Sequence, residues 1–241
     1  MSAAASQQAI LTHLSAVDHE RQLRGADAAL QARVSAVKQY QQKRFQLTYA
    51  DLLASPRFSG AARFFLDELY GPADFRQRDA QFARVVPALV RLFPADIVST
   101  VASLASLHAL SEQLDTRMGQ QLQSTELNAG LYAKAWQAAS TPAQRTQQIE
   151  QMLSVGRSLD QLTRQVLIRQ SLRFMRAPAR AAGLSDLQTF LESGFDTFRA
   201  MKGAESFLSL ISEREHSLAK MLFETDPATL TNDANCLGQL P

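Results

Sequence analysis

The stretch 94–122, PADIVSTVASLASLHALSEQLDTRMGQQL, has the period of a helix and nothing to interrupt it before Gly119. At about 100° per residue, Ile97, Val101, Leu104, Leu107, Leu114 and Met118 fall on one face, with Ser99, Ser106, Gln113 and Arg117 opposite. The spacing predicts the longest helix of the chain here, from Pro94 to Leu122. Upstream, a first helix is expected from near Ala5 to Leu23. After Gly25 a longer one starts at Ala28, with Leu30, Val34, Val37, Phe45 and Leu52 on one stripe. Ser55-Pro56 reads as a stop and restart, because proline suits a first helical turn and not an interior.

A short helix over 61–70 should end at Gly71-Pro72, with Asp74 placed to cap its successor. That successor carries Phe75, Phe82, Val85, Val86 and Leu89, with a kink or restart at Pro87. Downstream, helices are predicted near 125–139, 142–155 (capped by Thr141), 159–177, 186–201 and 204–224. Ser185 with Gln188 has the spacing of a capping box. No run alternates β-branched with polar residues, so strands are not expected. The architecture predicted is all-α: a single-domain multi-helix bundle of about eight or nine helices over residues 1–225. A polar tail, 226–241, is expected to be disordered.

Composition agrees with a folded chain. Of 241 residues, 46% are apolar and 20% charged, enough apolar surface to offset ordering entropy. The 25 basic and 23 acidic residues nearly cancel, so global charge gives no case for an anionic membrane and argues against nucleic acid as a partner. The single Cys236 cannot form an intramolecular disulfide and fits a reducing compartment. The N-terminal residues have no basic segment and no apolar run of a signal peptide, and no stretch reaches about 18 apolar residues. A cytoplasmic location without a membrane span is the expectation.

One anomaly sits inside the long helix. His108 and Asp115 are seven residues apart, so they point within about 20° of each other, into the middle of the apolar face. Ser111 lies beside them on the wheel and Glu112 one turn from His108. A polar stripe there is costly unless hydrogen-bonded. It reads either as a ligand or metal pocket between helices or as a satisfied internal network.

A second candidate is basic: Arg169, Arg173, Arg176 and Arg180 follow at intervals of four, three and four, which places them on one helical face. Arg157 and Arg164 extend a window in which Asp160 is the sole acid. Guanidinium forks match phosphate and carboxylate, so the strip suits an anionic ligand or partner. The bland reading is a solvated face paired with acids such as Glu213, Glu215 and Glu224. Phe190, Phe195, Phe198 and Phe207, with Met201, either fill a core or line a pocket.

Catalysis and metals find little to work with. There is no Gly-x-Ser-x-Gly, no activated cysteine and no glycine-rich phosphate loop, and no catalytic residue is assigned. The adjacent Asp67 and Glu68 diverge by about 100° and cannot readily converge on one substrate; pairing with Arg63 or Arg76 is expected instead. Glu213 and His216 supply one Glu-x-x-His pair, but a carboxylate-bridged di-iron bundle needs two. Four histidines and one tail cysteine leave a closed zinc site short of ligands. No metal ligand set and no cofactor is expected; a third alternative is an enzyme or a metal- or haem-dependent protein using the His108 stripe.

The run Phe64-Phe65-Leu66-Asp67-Glu68-Leu69-Tyr70-Gly71-Pro72, followed by Asp74-Phe75 and Arg78-Asp79, resembles an uncharacterised family of bacterial all-helical proteins. Phe190-Leu191-Glu192 through Phe195, Phe198, Met201, Gly203 and Phe207-Leu208 is similar to the same family, as is the pattern from Leu110 to Asp115. The resemblance covers most of the chain. It implies a cytoplasmic bacterial all-α protein, makes Phe64, Phe65, Tyr70, Gly71, Pro72 and Asp74 a structural motif, and carries over no functional residue. The resulting expectation is a non-catalytic protein whose helical surfaces bind a protein partner or a second copy of itself. The alternative is a binder of a small apolar or anionic ligand between helices at His108, Ser111 and Asp115.

Overall fold

A computed structural model describes residues 3–68, 75–230 and 240–241. Among them the chain is all-α: twelve α-helices and one 3-10 turn, with no strand. The helix predicted from residues 94–122 is α6, Ala95–Gln121, and it is the longest. It is not a surface helix with one wet side. Around it pack α1 (Ala3–Gly25), α2 (Ala28–Thr48), α5 (Arg76–Leu92), α7 (Ala129–Ala139) and α8 (Pro142–Thr163). Its expected outer face is therefore partly covered: Ser106 Oγ accepts from Gln151 Nε2 of α8 at 3.2 Å. Gly119 allows the α2 crossing, since a Cβ there would sit 2.4 Å from Val34 Cγ2.

The remaining helices lie outside this group. They are α3 (Ala50–Ala54), α4 (Ser59–Glu68), α9 (Val166–Phe174), α10 (Arg176–Ala181), α11 (Ser185–Ala200) and α12 (Glu205–Glu224). The count exceeds the eight or nine expected because two long predicted helices are broken. Tyr49 ends α2 ahead of α3, and Met175 separates α9 from α10. In the other direction, α8 runs past Val155 to Thr163, with Gly156 seated against Leu208 of α12. Likewise α5 continues through Pro87 without ending.

Local code explains several boundaries. Asp27 accepts from the Ala29 and Leu30 amides to start α2, Asn128 caps α7 at Leu131, and Thr141 with Gln144 forms a reciprocal capping box on α8. The capping box expected at Ser185 is absent. Ser185 is already helical, and the end of α11 is satisfied from α5 instead: Gln81 Oε1 accepts from the Leu187 amide, and its Nε2 donates to Asp186, both at 3.0 Å. Gln188 is otherwise engaged, donating to the Leu172 carbonyl and to Glu192.

Two apolar clusters result. The larger joins the second half of α2 to α4, α7, α8, α11 and α12, and contains Tyr49, Tyr132, Trp136, Phe198 and Phe207. The smaller is aliphatic: Ile10, Leu14, Val86, Val90, Val98 and Ala105, from α1, α5 and the first half of α6. Leu230, after the turn Pro227–Thr229, and Leu240 are buried in the larger one. Residues 231–239, including Cys236, lie outside the described residues, as do Tyr70, Gly71, Pro72 and Asp74 of the motif. Phe64 and Phe65 of that motif are core: Phe64 stacks on Phe190 and Phe65 meets Phe207 edge-on.

Candidate functional site

Successive turns of α6 present His108, Ser111, Glu112 and Asp115 to helices on several sides, and each finds a partner on another element. His108 Nε2 lies 2.8 Å from Asp79 Oδ2 of α5, which also accepts from Arg21 Nη2 of α1 at 2.6 Å. Ser111 Oγ accepts from Gln148 Nε2 of α8 at 2.9 Å. Glu112 takes Arg24 Nη2 of α1 at 2.6 Å on one oxygen and Lys38 Nζ of α2 at 2.5 Å on the other. Arg24 also donates to Thr116 Oγ1, whose hydroxyl donates in turn to the Glu112 carbonyl. Asp115 accepts from Gln41 Nε2 at 3.0 Å, with Lys38 Nζ 3.7 Å away.

The belt of charge continues in both directions. Toward α4, Arg78 donates to Glu68 at 2.9 Å and lies over the rings of Phe75 and Phe190. Toward α12, Arg44 and the Tyr49 hydroxyl both donate to Glu215 Oε1. Arg145 of α8 is buried with its guanidinium 3.6 Å from the centre of the Trp136 ring, donating to Ser140, Gln148 and the Met118 sulfur.

These groups enclose space. A cavity of about 160 Å³ has polar lining from Lys38, Gln41, Arg44, Asp79, His108, Ser111, Glu112, Asp115, Arg145 and Glu215. Leu14, Phe82, Val101, Leu104, Ala105, Ile149, Met152, Leu187 and Phe190 supply apolar lining, and Tyr132 and Trp136 also line it. Tyr132 Oη and Trp136 Nε1 are buried donors without a hydrogen-bond partner among the described residues.

The belt sets its own protonation. Burial raises the cost of charging Asp79, but the hydrogen bond and charge of His108, with Arg21, outweigh it and hold the carboxyl down at about 2. Glu112 is likewise buried, and the charges of Lys38 and Arg24 hold it at about 2. Asp115 goes the other way: burial dominates, Lys38 is farther off, Glu112 repels, and its pKa is raised. Two carboxyls one turn apart therefore differ in their readiness to accept a proton.

The arginine strip is built differently. Met175 interrupts it, so Arg169 and Arg173 belong to α9 while Arg176 and Arg180 belong to α10. Arg169 pairs with Asp196 at 3.2 Å, and Arg176 forks onto Glu192 of α11. The acids expected as partners are elsewhere: Glu215 is held by Arg44, and Glu224 is near Lys220. Glu68 pairs with Arg78. Of the phenylalanines, Phe195, Phe198 and Phe207 are buried and Phe190 faces the cavity. His216 stands near Glu150 at 3.3 Å, and no group of three His, Cys, Asp or Glu gathers among the described residues to hold a metal. No helix there is long and apolar enough to cross a membrane.

Residues 20–229 match the model of a domain of unknown function, DUF8198. The chain belongs to this family. No curated protein and no solved structure matches it. The DUF8198 span holds the whole charged belt and every cavity-lining residue except Leu14.

The sequence brought His108, Ser111 and Asp115 to this DUF8198 cavity but missed most of their partners. Arg21, Arg24, Lys38, Gln41, Arg44, Asp79, Arg145 and Glu215 were not singled out for it. A signal existed in α2: Lys38, Gln41 and Arg44 continue, at three- and four-residue steps, the stripe of Val34, Val37 and Phe45. Polar residues in phase with an apolar stripe are buried with it.

Proposed function

We propose that this protein is a non-catalytic binder of a small amphipathic organic molecule, held in the central cavity with its polar end toward Ser111, Asp115 and Arg145. The observation that supports this reading is a space of about 160 Å³ lined by both charged and apolar side chains. Protein interiors are otherwise packed like organic crystals, and apolar voids of about 150 Å³ accept a benzene-sized ligand. Concave, mostly apolar sites with a few placed polar groups are the usual form of ligand pockets. Burying so many ions is no route to stability, since well-packed apolar replacements commonly do as well or better. Their retention around a space gives them a use in orienting a guest.

The test uses Trp136, the chain's one tryptophan, which lines the cavity. Small aromatic amines and carboxylates are titrated while its fluorescence and the thermal midpoint are followed. A ligand that binds only the folded state at about 100-fold its Kd adds about 2.7 kcal/mol. Ala105→Leu, which fills the cavity from α6, should abolish both signals. If no probe shifts either signal and Ala105→Leu raises the midpoint, the space is a packing defect and the reading fails.

The other reading, docking through helical surfaces, is supported by a separate observation: Leu167 and Phe174 of α9 stand exposed beside the arginine strip.

A further inference from the structure

Helix α9 has an apolar side that the fold does not use. Its inner side is formed by Ile168 and Leu172, half-buried, and by Arg169 reaching back to Asp196 of α11. Leu167 and Phe174, seven residues apart and so within about 20° of each other, lie on the side turned away. They are 75% and 81% exposed, the two most exposed large apolar side chains among the described residues, and Met175, next to Phe174 in sequence, is 47% exposed. Exposing three large apolar groups together is costly unless something covers them.

The charge around them says what kind of surface would do so. Between residues 157 and 180 there are six arginines and one acid, Asp160. Three of the six are engaged, by Asp160, Asp196 and Glu192. Arg173 and Arg180, on either side of Phe174 and Met175 in sequence, are exposed, and no ion pair of theirs is seen among the described residues, although the charge of Arg173 reaches Glu192. Just before α9, Arg164 lines a surface groove with Arg199 and Lys202, and Asp160 is the one acid there.

We infer that α9 and the start of α10 dock on an anionic lipid surface, with Leu167, Phe174 and Met175 entering the acyl boundary and Arg173 and Arg180 meeting headgroup phosphates. A short helix with leucine and phenylalanine on one side and arginine beside it has the make-up of an interfacial anchor. A second copy fits less well: an isologous contact places each patch against itself, so Arg173 and Arg180 would face their own like charges. An acidic protein would need a pocket for each protruding side chain, whereas a bilayer yields to them.

Sedimentation with vesicles tests this, using phosphatidylcholine alone and phosphatidylcholine with one-third phosphatidylglycerol. The full chain should pellet with the anionic vesicles only, and less at high salt. Leu167→Ser with Phe174→Ser should lower partitioning more than tenfold, and Arg173→Gln or Arg180→Gln about fivefold each. These side chains are exposed, and an unchanged helical circular dichroism spectrum separates lost docking from lost folding. In Phe174→Trp the new tryptophan should be quenched by brominated acyl chains. No pelleting with anionic vesicles, or pelleting indifferent to the Leu167/Phe174 change, overturns the inference. So does a dimer in light scattering that the same double change dissolves, because a second copy then covers the face.

Discussion

The charged belt around α6 and the arginine strip on α9 and α10 use the same residue types to opposite ends. In the belt, each of Arg21, Arg24, Lys38 and Arg44 meets a carboxylate far away in sequence, at separations from 58 to 171 residues. On the strip, Arg176 meets Glu192 only 16 residues on, both at least partly in water. A buried ion without its partner is penalised heavily, so belt pairs specify which helices meet. An exposed pair is worth little, so the strip leaves the fold alone and acts outward as a positive field. One arginine-rich region organises the interior; the other is available to surroundings.

The sharpest way to break this contrast is to remove the carboxylate that holds two cations. Glu112→Gln keeps the shape but leaves Arg24 and Lys38 facing a neutral amide in a buried place. Breaking a buried pair from one side costs about 3–5 kcal/mol, a large part of a typical domain's stability. Urea denaturation should show that loss as a lower midpoint with unchanged slope. A loss below about 1 kcal/mol means the belt is no more demanding than the strip.

Acid sharpens the same contrast without mutation. Asp79 and Glu112 have folded pKa values near 2, well below their ordinary values. Both therefore contribute fully above about pH 4.5, and the contribution fades as pH falls from there toward 2. Asp79 is worth on the order of 2 kcal/mol and Glu112 on the order of 3 kcal/mol. Asp115, whose pKa is raised, opposes this trend, because protonating it relieves a buried charge. Net stability should still fall, and Asp79→Asn should flatten the pH dependence measured by urea midpoints at pH 7, 4.5 and 3. An unflattened curve would mean that Asp79 is not held by His108 and Arg21.

How much of this was legible in the sequence depended on whether a signal was local. The helical class, α6, the cap at Thr141 and the core role of Phe198 follow from spacing within one turn or two. His108, Ser111 and Asp115 were visible as an anomaly on one face. Their partners were not: Asp79 and Arg21 look like ordinary surface residues until α1, α5 and α6 are brought together. The break at Met175 was also hidden, since Arg169, Arg173, Arg176 and Arg180 have flawless helical spacing. Periodicity records what a helix can do; where it stops depends on which backbone bonds are met, and Pro178 has no N–H to give the Phe174 carbonyl four residues back. The box expected at Ser185 failed for a non-local reason, a distant Gln81 supplying the acceptor.

The smallest expected effect lies on the strip and completes the contrast. Arg176→Ala removes a bidentate contact to Glu192, whose pKa that hydrogen bond lowers. By geometry this is a better ion pair than several in the belt. Yet Glu192 keeps the hydrogen bond from Gln188 Nε2 at 2.7 Å, and water replaces the guanidinium at no burial cost. The urea midpoint should not move measurably, and 0.5 M salt should change wild type and variant alike. A clear drop would show that the pair pins α10 to α11. The strip would then share the belt's organising role, and geometry would predict stability here better than burial does.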